Sequence, residues 1–334
     1  MLTLHYEARF GLARGAVYKD GLPHLYMEGY AHDPSLAVLG TRSVARLKTT
    51  AGGVHFVTLA DGGDDAVLDA PQSVRLDDGL AVEIEIVAEA RLDKRARARF
   101  LSIGHGDLRR LSPVTSLKDR LLGRAHAIFG DMGLVEGADR DALERAFEQA
   151  CHPSGPLAGG GDLSVDLTRG LIACDVDAGG DHGVLTPRAF ARRCNERAVA
   201  DLPRRLRLSG LAGLVVVDLI GQRHDGERLR HLLLDGFGNE ADRIIVAPIG
   251  KFGTVEFVRP WGACPACDFT PMAMAVSLIW QALGLSEADR GRPIALGARD
   301  DTIAILRPLL AGALDPLAPM LRLEASPVIR AAYA

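Results

Sequence analysis

The chain has no long apolar run. No stretch approaches the roughly 20 residues that a bilayer-spanning helix needs, so no membrane partner is expected. The N-terminus, Met1-Leu-Thr-Leu-His-Tyr-Glu-Ala-Arg, is already polar and lacks the apolar block of a secretory leader. Aromatic residues make up only 5% of the 334 residues. Cysteine is sparse: Cys151, Cys174, Cys194, Cys264 and Cys267 are odd in number and scattered. That excludes reading a disulfide framework and points to a reducing, cytoplasmic location. A net charge of −4 shows no overall basic excess of the kind that announces a nucleic-acid binder, although a local patch suffices for that role. What is present, 48% hydrophobic and 25% charged residues, is an ordinary globular composition with length for two or three domains.

Residues 1–35 alternate and carry the turn dipeptide Asp20-Gly21, which predicts N-terminal hairpins. From 36 to 103 short β segments follow one another: Ser43–Lys48, Val54–Leu59, Ala66–Asp69 and Leu80–Val87. Asp61-Gly-Gly-Asp-Asp is one of the turns between them, and this spacing predicts a small barrel or sandwich. The basic run Arg91–Arg99 closes this region. As a strand it places Arg95, Arg97 and Arg99 on one side, either to track a phosphate backbone or as a solvated face. Residues 104–143 read as linker and helix, with Leu143, Phe147 and Cys151 at helical spacing beyond. The segment 144–260 then reads as an α/β core. Its long helix is capped by Thr186 and Pro187, bears an apolar stripe from Phe190 to Leu206, and is expected to kink or shorten at Pro203. Arg188, Arg192, Arg193, Arg204 and Arg205 fall on its opposite face. Residues 271–334 read as a small α/β appendage, for dimerisation.

Two stretches carry chemistry. In Leu171-Ile-Ala-Cys-Asp-Val-Asp177 and Gly213-Leu-Val-Val-Val-Asp-Leu-Ile220, β-branched apolar runs end on acids. A carboxylate on an otherwise buried strand is costly unless it is paired or metal-bound. Asp175 and Asp218 therefore read either as a divalent-cation site or as strand-end acids facing water. Cys264-Pro-Ala-Cys267 has the spacing that presents two thiolates to zinc. With no second such pair, the remaining two ligands could come from the same pair of another copy, giving a four-thiolate site; a redox dithiol is the rival reading.

Four motifs in order, Gly160-Gly-Asp-Leu-Ser-Val-Asp-Leu-Thr-Arg-Gly-Leu-Ile-Ala-Cys-Asp-Val-Asp177, Arg204–Ile220 preceded by Asn195-Glu-Arg-Ala, Lys251-Phe-Gly-Thr-Val-Glu-Phe-Val-Arg259 and Cys264-Pro-Ala-Cys267, resemble those of the bacterial ribonuclease E/G family. The resemblance covers a little over a third of the chain. It implies a mixed α/β (α+β) protein with a ribonuclease-H-like core at 144–260, an S1/OB-like β-barrel at 36–103, a zinc-link at 261–270 and a small C-terminal α/β domain. It implies a Mg²⁺-dependent endoribonuclease cutting single-stranded RNA, with Asp175 and Asp218 as magnesium ligands and Asp177, where the family has Asn, as a third acid beside them. Cys264 and Cys267 would hold a zinc shared between subunits of a homodimer or larger oligomer. Phe56, Arg95, Arg97, Arg243 and Lys251 would contact RNA. Residues 104–143 are too short for the family's 5′-sensor lobe, and only one of the two usual barrel aromatics is present. Weak RNA binding and little preference for 5′-monophosphate ends are therefore expected. The alternatives are a catalytically altered RNA-binding scaffold and a zinc-linked assembly module.

Overall fold

In the computed structural model, which describes residues 1–49, 53–59, 65–71, 73–91, 94–131, 133–179, 185–267 and 270–334, the chain opens with a meander. Its strands are β1 (Leu2–Arg9), β2 (Leu12–Lys19) and β3 (Leu22–Tyr30). Both connections are two-residue turns, Phe10-Gly11 and Asp20-Gly21, with φ of 55° and 72° in the first and 51° and 82° in the second. Two successive left-handed residues make the turn whose twist matches that of paired strands.

The chain then leaves this sheet to form β4 (Arg42–Thr49), β5 (His55–Thr58), β6 (Ala66–Asp69), β7 (Ala81–Ala88), β8 (Arg97–Ile103) and the short β9 (Arg109–Arg110). Pairing runs β4–β5–β6–β8–β7 and returns from β7 to β4, so five strands close into the expected OB-like barrel. Leu47, Val57, Leu68, Val82, Ile84 and Ile86 fill the interior around Ala45, Ala66 and Ala98. Closure removes the open edges that a five-stranded sheet would otherwise expose. The turn expected at Asp61–Asp65 lies almost wholly outside the described residues.

Helix α1 (Leu117–Phe129), β10 (Leu134–Gly137) and α2 (Arg140–Cys151) return to the first sheet, whose order is β10-β1-β2-β3. One face packs Leu4, Val17 and Leu25 against Leu117, Leu121 and Ala125 of α1. The other packs Ala16, Tyr18 and Tyr26 against Ala142, Leu143 and Ala146 of α2. Central strand β2 is thus covered on both sides, and Arg14 within it is buried. Its guanidinium donates to Glu144 (2.8 Å) and Glu7 (3.2 Å) and lies 4.5 Å from the Trp280 ring centroid.

Glu28 sits opposite Arg14 in the ladder and accepts a 2.7 Å hydrogen bond from Tyr26. Burial outweighs these partners and pushes its carboxyl from 4.5 up to about 7. Between those values the folded protein keeps a proton that the unfolded chain has lost, so stability from this group falls as pH rises. Glu28→Gln should therefore remain stable where the native chain weakens. The gap between them should grow to as much as about 3 kcal/mol at pH 8 and close near pH 4. Urea midpoints across that range measure it, and equal slopes for both chains would refute the assignment.

The sheet that carries the candidate site follows. It contains β11 (Gly155–Pro156), β12 (Asp162–Leu167), β13 (Ile172–Asp177), β14 (Gly213–Asp218), β15 (Ile245–Val246) and β16 (Thr254–Arg259), in the order β11-β12-β13-β14-β16-β15. Helices α3 (Pro187–Ser209) and α4 (Gly226–Phe237) contribute to its core: Val176, Val215, Val217 and Phe257 pack with Cys194, Leu202, Leu233 and Phe237. Contrary to expectation, α3 runs unbroken through Pro203 to Ser209. Gly236 of α4 makes room for the proline: a Cβ there would meet Pro203 Cγ at 2.9 Å. The last turns are also held from outside by Arg205 and Arg207, both buried rather than on a solvent face. Beyond the sheet lie α5 (Pro271–Ala288), β17 (Ile294–Ala298), α6 (Asp300–Ala311), β18 (Leu321–Ala325) and β19 (Arg330–Tyr333), the strands ordered β18-β17-β19. Their core includes Phe10 and Leu12 of the first sheet, so this unit is packed onto the chain's beginning.

Candidate active site

Strands β13 and β14 are parallel neighbours, and Asp175 is directly in register with Asp218. Residues in register on adjacent strands share a face. Val176 and Val217 face the helices and are buried, while Asp175 and Asp218 are exposed. No hydrogen bond or ion pair is made by either carboxylate among the described residues. Carboxylates in register on neighbouring strands are the kind of oxygen donors that a hard divalent ion takes while retaining waters. Asp177 shares the Asp175 face, but its Oδ1 accepts the Gly179 N–H at 2.8 Å and so serves the backbone of the loop. Among the described residues no three His, Cys, Asp or Glu side chains gather to hold a metal. Cys174 points to the core, where burial pushes its thiol up to about 12 and makes it unreactive.

The pair is held by buried polar side chains. Asn195 of α3, 2% exposed, donates to the Ile220 carbonyl and accepts the Ile220 N–H, both at 3.0 Å. One amide thus satisfies both backbone groups of the residue two past Asp218. The motif residue Asn195 is visible in the sequence, but this role depends on the approach of α3 to the loop after β14 and is not. Gly161 allows a second close approach: a Cβ there would meet the Asp177 carbonyl at 2.9 Å and Cys194 Sγ at 2.8 Å. Between α3 and the loop after β14 lies a cleft of about 890 Å³, bordered by Arg188, Arg192, Arg223 and His224. The three arginines stand beside the loop that follows Asp218.

Lys251 is exposed in the turn before β16, whose Thr254 is in register with Asp218. Its neighbour Phe252 is 92% exposed. Sequence reading missed it, although an aromatic two residues after Gly250 and immediately before Gly253 signals a side chain with little to pack on. Arg243 is elsewhere. β15 pairs with the far end of β16, and Arg243 lines a cavity of about 230 Å³ with Arg124, Glu240 and Arg259. Burial, with Arg259 nearby, pulls Arg124 down to about 10.

In the barrel, Arg95 lies 5.4 Å from the Phe56 ring centroid, which brings two of the expected RNA contacts together. Arg95, Arg97 and Arg99 alternate with buried Ala96 and Ala98, as the strand pattern required. Each is nevertheless paired, with Asp65 at 3.4 Å, Asp69 at 2.5 Å and Glu85 at 2.8 Å respectively, so the row is largely neutralised.

The cysteines differ from expectation. Cys267 forms a disulfide with Cys151 at the end of α2, with Cα atoms 5.3 Å apart. Cys264 instead lines a cavity of about 300 Å³ with Glu28 and Glu89. The intervening turn is docked on α3: Ala266 N donates to the Ser209 carbonyl at 3.0 Å. With Cys267 bonded to Cys151, the Cys-x-x-Cys pair as placed does not present two thiolates to one zinc. A cysteine engaged in a disulfide has no thiolate to offer. Non-reduced protein should therefore bind no zinc and yield a Cys151–Cys267 cross-linked peptide; retention of zinc by the cross-linked protein would overturn this.

Residues 134–261 match the sequence profile of the Ribonuclease E/G family. That segment, which contains the acid pair, is where the chain is similar to this family. Ribonuclease E of Buchnera aphidicola subsp. Acyrthosiphon pisum is 33% identical over 123 residues, 35% of this chain and 13% of that protein. Ribonuclease E of Haemophilus influenzae is 31% identical over 125 residues, again 35% and 13%. Ribonuclease E of Escherichia coli is 30% identical over 146 residues, 38% of this chain and 13% of that protein. The matched stretch thus spans about an eighth of the length of these relatives. No helix among the described residues is long and apolar enough to cross a membrane.

Proposed function

We propose that this chain is a Mg²⁺-dependent endoribonuclease that cuts single-stranded RNA in the cytoplasm, with the sheet β11–β16 acting as its ribonuclease-H-like core. The observation that supports this most is the in-register pair Asp175 and Asp218, exposed and without a hydrogen bond or ion pair among the described residues, within the segment that matches the family. These two carboxylates would hold Mg²⁺. When bound, such an ion polarises the scissile phosphate and lowers the pKa of an attacking water. The chain's own residues do the rest. Asn195 fixes the segment after Asp218, Asp177 holds the turn at Gly179, and Lys251 and the arginines of the α3 cleft attract the polyanion. The barrel, with Phe56 and Arg95, supplies a second contact along the strand. Its neutralised arginine row makes that contact the weaker one.

In the reduced chain, Cys264 and Cys267 would be available to share a zinc with a second copy. The test is cleavage of an end-labelled oligoribonucleotide. Internal cuts in the single strand that need Mg²⁺, stop with chelator and are absent from a duplex of the same sequence are the expected result. Cleavage that persists in chelator would overturn the metal assignment. After reduction, zinc uptake is expected at about half an equivalent per chain, the ratio of a four-thiolate site spread over two copies.

A further inference from the structure

The turn between β15 and β16 presents a large aromatic side chain to solvent while its backbone is fixed on both sides. Within the turn, Gly253 N donates to the Gly250 carbonyl at 3.0 Å and Gly250 N to the Thr254 carbonyl at 3.2 Å. Gly253 has φ +84°, and a Cβ there would meet the Gly221 carbonyl at 3.2 Å and His224 Nε2 at 3.2 Å. The turn is therefore pressed against the loop that follows Asp218. Thr254, which ends the turn, is the in-register partner of Asp218. Phe252 lies two residues before it, 92% exposed, with Lys251 beside it. A lone exposed apolar residue is ordinary on a protein surface. One on a braced turn, next to a cation and at the strand end that bears an acid pair, is placed for a ligand with a flat apolar face and a negative charge.

We propose that Phe252 is a base-stacking platform that receives one unpaired nucleobase of the strand lying across Asp175 and Asp218. This rests on the ribonuclease reading and deepens it. An aromatic face accepts any base but only an unstacked one, which would give the site its preference for single strands without reading sequence. Lys251 then meets a phosphate flanking the stacked base. The platform is separate from Phe56, which belongs to the barrel and is already covered by Arg95.

The test uses the full chain and single-stranded oligoribonucleotides, with binding read by fluorescence anisotropy and cleavage by initial rates. Phe252→Ala should weaken binding and raise KM by about 5- to 150-fold, the range of one lost stacking contact, with kcat changed by less than about threefold. Phe252→Trp should restore affinity, and its fluorescence should be quenched on binding. Phe252→Leu should not restore it. An oligoribonucleotide with an abasic site at the stacked position should bind the native chain and Phe252→Ala equally. Native binding and cleavage with no loss in Phe252→Ala would overturn the platform alone. Equal losses for the Trp and Leu variants, or an abasic series in which no position abolishes the difference, would do the same. A native chain that binds no RNA would overturn the ribonuclease reading with it.

Discussion

Asp218→Asn and Asp175→Asn should each lower Mg²⁺-dependent cleavage by about 10³-fold or more, because each leaves one carboxylate where two are needed to hold the ion that activates water. RNA binding should move the other way. Removing a negative charge from the face that meets phosphates weakens repulsion, so affinity at low salt should stay level or rise. That opposite movement separates loss of catalysis from loss of fold. Asp177→Asn should behave differently. Its Oδ1 accepts a backbone N–H at 2.8 Å, an interaction that an asparagine oxygen can keep. The expected change is within about tenfold. Rates measured on one oligoribonucleotide for all three variants decide the matter, and equal collapse of all three would make Asp177 a full ligand.

Arg205→Ala should be the most damaging single substitution for stability, costing about 3–5 kcal/mol. The guanidinium donates to the carbonyls of Pro153 (2.8 Å), Gly155 (3.0 Å) and Pro156 (2.9 Å), and its Nε donates to Asp201 at 2.8 Å. These carbonyls belong to edge strand β11 and the loop before it, so one side chain satisfies a whole turn of backbone acceptors and leaves them orphaned when it goes. Burial alone would raise the Asp201 carboxyl, but its hydrogen bonds to Arg204 and Arg205 hold it below the ordinary range. The stability it provides is therefore lost as pH falls through its folded value. Arg205→Lys keeps the charge but not the planar fork, and should recover only a minor part. Urea denaturation measures both.

Much of this was readable in the sequence, for reasons tied to particular residues. The turn Asp20-Gly21 and the β-branched apolar runs of β13 and β14 are local signals, and they placed the hairpins and the strands bearing the acids. The in-register match of Asp175 with Asp218 was not local. It depends on how far α3 carries the chain before β14 begins. Arg95, Arg97 and Arg99 were correctly placed on one face, but their neutralisation by Asp65, Asp69 and Glu85 comes from the neighbouring strands β6 and β7 and the segment leading into β6. The helix continued through Pro203 because Gly236 of another helix accommodates the ring, a contact that no propensity reports. Arg243 and Lys251 were both expected to contact RNA, and β16 separates them by its length. The spacing of Cys264 and Cys267 is that of a knuckle, while the disulfide partner of Cys267, Cys151, comes from a helix 116 residues earlier, which no local pattern reports.

That cross-link also gives the chain a topology. Residues 151 to 267 form a covalent ring that contains α3, α4 and every strand of the acid-bearing sheet. A single peptide bond cut anywhere inside the ring leaves the two ends joined, so a nicked chain keeps Asp175 and Asp218 on one molecule until the disulfide is opened.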